Sequence, residues 1–215
     1  MIAPNGTEIL TTLEDLVDPR HTALLIYDMQ AGIVPQIAEG PAILSRVLAL
    51  LTAARHARLR IIFTRHLSLP TQWMGSFQYR MAMAWQRKQE PADVKAPFLR
   101  DSPAFQLAAE LQPQPDEVIF DKVAMSAFEG TPLITALRDC GIRSLIIAGI
   151  ALEIGIEPTC RHAADLGIVP ILVQDACGAG NPEAADHCIA ALKHMGDTMV
   201  TDLATITSLL SRSPK

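Results

Sequence analysis

Short apolar runs recur along the chain, separated by longer stretches in which apolar residues return every three or four positions. The runs are Ala23 to Tyr27 (ALLIY), Leu59 to Phe63 (LRIIF), Val118 to Phe120 (VIF), Leu145 to Ala148 (LIIA), Val169 to Val173 (VPILV) and Met199 to Val200. They are apolar on both faces and rich in Ile, Leu and Val, as strands of a parallel sheet covered on each side must be. The stretches Pro41 to His56, Gly75 to Lys88, Thr131 to Cys140, Glu157 to Leu166, Pro182 to Met195 and Ala204 to Ser211 read as helices. Pro41 and Pro182 stand where a first helical turn tolerates proline, and Gly141, Gly167 and Gly196 follow helices as left-handed caps. Strand and helix in alternation predict a three-layer, doubly wound, Rossmann-like α/β fold with a six-stranded, mostly parallel sheet.

The interval from Leu67 to Gln114 is long for one crossover and holds Trp73, Phe77, Tyr79, Trp85, Phe98 and Phe105, six of the chain's ten aromatic residues. It predicts a helical excursion over the mouth of a pocket, against the alternative that these aromatics simply pack a helix onto the sheet. With 215 residues and no long polar linker, the chain suits a single domain over residues 1–215.

A hydrophobic fraction of 49% with 19% charged residues supplies ample core. The net charge of −5 and scattered basic residues argue against nucleic acid or an anionic membrane as partner. The start MIAPNGTEIL lacks a signal peptide's basic residues and apolar run, and no later apolar stretch reaches the about 18 residues of a bilayer span, so the cytoplasm is the expected location. Cys140, Cys160, Cys177 and Cys188 form neither a disulfide framework nor a CxxC metal pair and read as reduced core or near-core thiols.

Open parallel sheets bind ligands beyond the carboxyl ends of their strands, so the residues after each apolar run matter most. These are Asp28 after the first run, Thr64, Arg65 and His66 after the second, Asp121 and Lys122 after the third, and the segment GIALEIGI, Gly149 to Ile156, after the fourth. A carboxylate, an imidazole, an ammonium and a helix start on one rim can move protons and stabilise developing negative charge. Taken singly, each is as readily a strand end in water; together they indicate a site. GxGxxG, Walker, HExxH and GxSxG motifs are missing, and GAGN at Gly178 to Asn181 shapes a loop before the Pro182 helix.

Four segments carry a resemblance: Asp-Met-Gln at Asp28 to Gln30, the K-x3-S-A-F-x-G-T-x-L pattern from Lys122 to Leu133, G-I-A-L-E-I-G-I-E-P-T from Gly149 to Thr159, and Asp-Ala-Cys at Asp175 to Cys177. With them the chain resembles the isochorismatase-like hydrolase superfamily from His21 to Ile206. In that superfamily's amidases the resemblance implies an Asp, Lys and Cys triad; Asp28 and Lys122 match, but Gly155 stands at the nucleophile position, as in the isochorismatases. Cys160, about 140° further round a helix, should not reach the same pocket. A glutamine of the isochorismatases is replaced near His66, and Thr64 stands where the zinc-binding aspartate of nicotinamidases would be, so neither a metal nor another cofactor is expected.

The resemblance implies a hydrolase of a small molecule, cleaving a vinyl ether or a C–N bond without a cysteine, with Asp28, Lys122 and His66 as catalytic residues. Gly155, Ile150, Ala151, Glu153, Phe128 and Trp73 would bind substrate or an oxyanion, with a cis bond expected at Ile150–Ala151. A helix beginning near Gly155 would leave N–H groups facing the crevice, and the space beside Gly155 would hold water or substrate. The alternative is a catalytically silent small-molecule-binding protein on the same fold. A homo-oligomer, dimer or tetramer, is expected in either case.

Overall fold

In the computed structural model, which describes residues 1–212, alternate side chains of the central strands enter two separate cores, one on each face of a single sheet. The strands are β1 (Thr22–Tyr27), β2 (Arg60–His66), β3 (Val118–Lys122), β4 (Ser144–Ile150), β5 (Val169–Gly178) and β6 (Met199–Thr201). Their order is β3-β2-β1-β4-β5-β6 and every neighbouring pair is parallel. The expected mostly parallel sheet is thus wholly parallel. The last three positions of the expected domain lie outside the described residues.

One core joins Leu24, Ile26, Phe63, Ile146 and Ile171 to α2 (Gly40–His56) and α7 (Leu203–Arg212). The other joins Leu25, Tyr27, Ile62, Ile147 and Leu172 to α4 (Leu133–Asp139), α5 (Glu157–Asp165) and α6 (Pro182–Met195). Helix ends follow the expected chemistry. Asn181 caps α6 by accepting from the Ala184 N–H at 3.2 Å, Pro182 opens that helix, and Gly196 closes it at φ 74°. Among the described residues, no helix is long and apolar enough to cross a membrane.

Several boundaries differ from the sequence reading. Thr64, Arg65 and His66 are the last residues of β2, and Asp121 and Lys122 the last of β3, rather than loop residues after them. Polar side chains are accommodated there because Arg65 and Asp121, opposite one another in register, pair across the strands at 2.8 Å. A four-residue helix α1 (Leu13–Leu16), held by a capping box between Thr12 and Asp15, was not anticipated. The long interval after β2 contains α3 (Ser76–Gln86), none of whose residues is buried.

The order of strands reverses between β1 and β4, each of which feeds its next connection to the opposite side. A crevice opens at such a reversal, beyond the carboxyl ends of those two strands. Asp28 leaves β1 and Ala151 leaves β4 at this point.

Candidate active site

Asp28 follows a strand whose six residues are all buried, and it takes a left-handed backbone conformation, φ 46°. That conformation is unfavourable for a residue with a side chain and persists where surrounding contacts dictate it. Here the contacts are specific. Thr64 Oγ1 accepts from the Asp28 N–H at 3.2 Å and donates to Asp28 Oδ1 at 2.7 Å, while Lys122 Nζ donates to Oδ2 at 2.7 Å. Lys122 also donates to the Ala124 carbonyl at 3.2 Å and lies 4.3 Å above the Tyr27 ring. Burial pulls the ammonium below the ordinary lysine range despite the opposing pull of Asp28.

His66 ends β2 directly opposite Lys122. Its ring meets Trp85 edge-on at 6.4 Å and Phe98 at 6.1 Å. Burial, helped by the charge of Lys122, lowers its pKa to about 4, so the ring is neutral near pH 7 and can donate from one nitrogen while accepting on the other. Gln30, wholly buried, grips the His66 backbone from both sides and donates to Phe105 O at 2.9 Å. The sequence marked Gln30 only as part of a motif. Its clamp on His66 depends on where β2 and Phe105 come to rest.

A cavity of about 540 Å³ lies beside these groups, walled by His66, Lys122, Met81, Trp85, Phe98 and Met125 among others. The excursion after β2 does border a pocket, as expected, with Phe77, Met81 and Trp85 of α3 on its wall. Asp28 and Gly155 do not line it. Lys122 links the cavity to the buried carboxylate.

At the end of β4 the bond Ile150–Ala151 is cis, at the position expected. The segment then forms a π-helical turn, Leu152–Ile156, that runs into α5. The helical turn starts three residues before Gly155, whose N–H donates to the Ala151 carbonyl at 3.1 Å. That N–H is therefore spent inside the turn, which opens earlier than the helix start expected near Gly155. The expected space for water or substrate beside Gly155 is also filled. An added Cβ would overlap Oη and Cζ of Tyr27 and stand 2.8 Å from Cε1.

Other expected contacts are redistributed. Trp73 is 78% exposed in a single 3-10 turn ahead of α3 and is not on the cavity wall. Phe128 is buried in the core against the His162 ring, 5.5 Å away. Ile150 and Ala151 are buried, and Glu153 Oε1 accepts from the N–H groups of Gly180 and Asn181 at 2.8 and 2.9 Å, tying the turn to the loop before α6. Sequence spacing brought these residues near the strand ends, but the faces they present follow from packing. Cys160 is fully buried, and burial drives its thiol pKa far up; Cys177 is pushed to about 12. Cys140 is exposed, not a core thiol as expected, because it follows the last turn of α4 on the outer surface.

The fold is shared with proteins of known structure. The chain resembles a cysteine hydrolase from Pseudomonas syringae pv. phaseolicola, with TM-score 0.75 and 26% identity over 91% of this chain and 95% of that one. An isochorismatase family protein from Desulfovibrio vulgaris aligns with TM-score 0.75 at 23% identity, over 90% of this chain and 100% of that one. The fold is shared with a pyrazinamidase of Pyrococcus horikoshii solved in complex with zinc, with TM-score 0.71 and 22% identity over 85% and 99% of the two chains. The residues here do not fit a protein-held zinc: Thr64 is committed to Asp28, and among the described residues no three His, Cys, Asp or Glu side chains gather as ligands. The family model for the isochorismatase domain matches residues 22–204, from β1 into α7, and the chain belongs to the isochorismatase family of hydrolases.

Proposed function

We propose that this chain hydrolyses a small molecule at a vinyl ether or C–N bond without a cysteine nucleophile, using Asp28, Lys122 and His66. The carrying observation is that Lys122, paired with the buried Asp28 behind it, lines the cavity while Tyr27 fills the space beside Gly155. No side chain at 155 can attack the substrate, so water must be the nucleophile. At a C–N bond Asp28 takes a proton from that water as its oxygen bonds to the substrate carbon, and returns it to the departing nitrogen. At a vinyl ether the proton goes to the terminal vinyl carbon as water adds to the ether carbon, and the resulting hemiketal passes its hydroxyl proton to the departing alcohol oxygen. Lys122 holds Asp28 in place through its hydrogen bond to Oδ2, and neutral His66 orients the substrate by hydrogen bonding. The apolar wall of Met81, Trp85 and Phe98 favours an uncharged substrate body.

The withdrawal of Asp28, 4% exposed and off the cavity wall, favours a second reading, a binding protein without turnover. Screening purified protein against vinyl ethers, amides, ureas and small esters separates the two. Turnover lost in Asp28→Asn and Lys122→Met supports the hydrolase; compounds that change Trp85 fluorescence without being consumed support the binder. We also propose a homo-oligomer of two or four chains, supported by an α3 without buried residues and by Phe77, 69% exposed. A monomeric mass by light scattering at micromolar concentration removes that proposal.

A further inference from the structure

Tyr27 is the last residue of β1, and its ring points into the core that α4, α5 and α6 close. Two contacts and its burial fix it there. Its hydroxyl donates to the Met125 carbonyl, its face carries the Lys122 ammonium at 4.3 Å, and only 2% of the residue reaches solvent. The third neighbour is Gly155, whose missing Cβ would coincide with the outer edge of the ring. Rotating the ring away is no easy remedy, since it would strand a buried hydroxyl and uncover Lys122.

We propose that Tyr27 is a specificity-determining residue of this site: its ring takes the volume any side chain at position 155 would need and so closes that position to covalent chemistry. The functional consequence rests on the hydrolase reading above, whereas the steric coupling of Tyr27 and Gly155 stands without it. Position 155 is glycine because Tyr27 is tyrosine. A residue no larger than leucine at 27 would reopen the space, and phenylalanine would not, because Cζ and Cε1 remain in place.

The test uses the full chain and no substrate. Gly155→Cys, Tyr27→Leu, Tyr27→Leu/Gly155→Cys and Tyr27→Phe/Gly155→Cys are compared by thermal unfolding and by mass-spectrometric mapping of iodoacetamide labelling. Gly155→Cys is expected to lower Tm by at least about 5 °C, as overpacking of a rigid core does. In the Tyr27→Leu background the same change should cost less than about 2 °C, and in the Tyr27→Phe background as much as in the parent. The new thiol of Tyr27→Leu/Gly155→Cys should label at least about tenfold faster than buried Cys160. Equal losses in all backgrounds, or free tolerance of Gly155→Cys in the parent, overturn the proposal. Should Gly155→Cys fail to fold, Tyr27→Leu/Gly155→Cys must still fold and label, and its failure to do so also overturns it. Because none of these readouts involves turnover, a chain without hydrolase activity leaves the result intact.

Discussion

Lys122 Nζ donates to Asp28 Oδ2 at 2.7 Å with the two side chains 0% and 6% exposed, so each charge depends on the other for compensation. Removing one partner of such a pair leaves an unpaired buried charge and costs about 3–5 kcal/mol, whereas replacing both with apolar groups costs far less. Urea denaturation should therefore show Lys122→Met and Asp28→Leu each strongly destabilised. The double variant should be more stable than the sum predicts by more than about 1 kcal/mol. Additive losses would show that the two charges are stabilised independently.

His66 makes stability depend on pH in a defined window. Its pKa falls from 6.5 to about 4 on folding, through burial first and the Lys122 charge second. The unfolded chain therefore binds the proton more tightly than the folded one. The contribution is complete above pH 6.5 and is lost as pH falls through that value toward 4, amounting to at most about 3 kcal/mol. Asp18, held at about 2 by Arg20, acts below its ordinary 3.8 and does not overlap this window. His66→Gln should flatten the stability profile between pH 6.5 and 4. A profile as steep as the parent's would assign the effect to other groups.

The thiols give a third expectation. Cys160 and Cys177 are kept protonated at neutral pH by burial, and Cys140 is exposed. Native protein at about pH 7.5 should take iodoacetamide at Cys140 and take it at Cys160 only after unfolding. Once a substrate is known, this native labelling should leave turnover unchanged. Inactivation that maps to Cys160 or Cys177 would contradict a cysteine-independent reaction.

The central strands were legible because burial on both faces writes itself as an unbroken apolar run: every residue of β1 and of β4 is buried. Toward the edge this signal fails. β2 and β3 end in Arg65, His66, Asp121 and Lys122, whose polarity mimics a loop although cross-strand pairing keeps them in the sheet. β5 runs on through Gln174 and Asp175 to Gly178 because a register shift opposite Ile147 and Gly149 carries the pairing past them. At the candidate site, placing Asp28, His66 and Lys122 at strand ends required only their order along the chain. Filling the space at Gly155 required a contact between positions 27 and 155, and the exposure of Trp73 followed from where its 3-10 turn comes to rest. Neither has a local pattern.

Gln30 supplies the last prediction, and it separates positioning from chemistry. Its Oε1 accepts from the His66 N–H at 2.6 Å and its Nε2 donates to the His66 carbonyl at 3.2 Å and to Phe105 O at 2.9 Å, all within buried or half-buried surroundings. Gln30→Leu has similar bulk but strands these backbone groups, at a cost of about 1–3 kcal/mol for each one left unsatisfied. Gln30→Glu keeps the acceptor and loses the donor, placing a carboxylate against two carbonyl oxygens. Both variants should unfold at lower urea, and hydrogen exchange should show the His66 amide, protected in the parent, losing protection selectively while the amides of β4 keep theirs. With a substrate in hand, the loss should fall on KM if His66 orients the substrate and on kcat if it exchanges the proton. An unchanged His66 exchange rate in Gln30→Leu would mean that β2 is held without the clamp, and that Gln30 has no part in placing the imidazole.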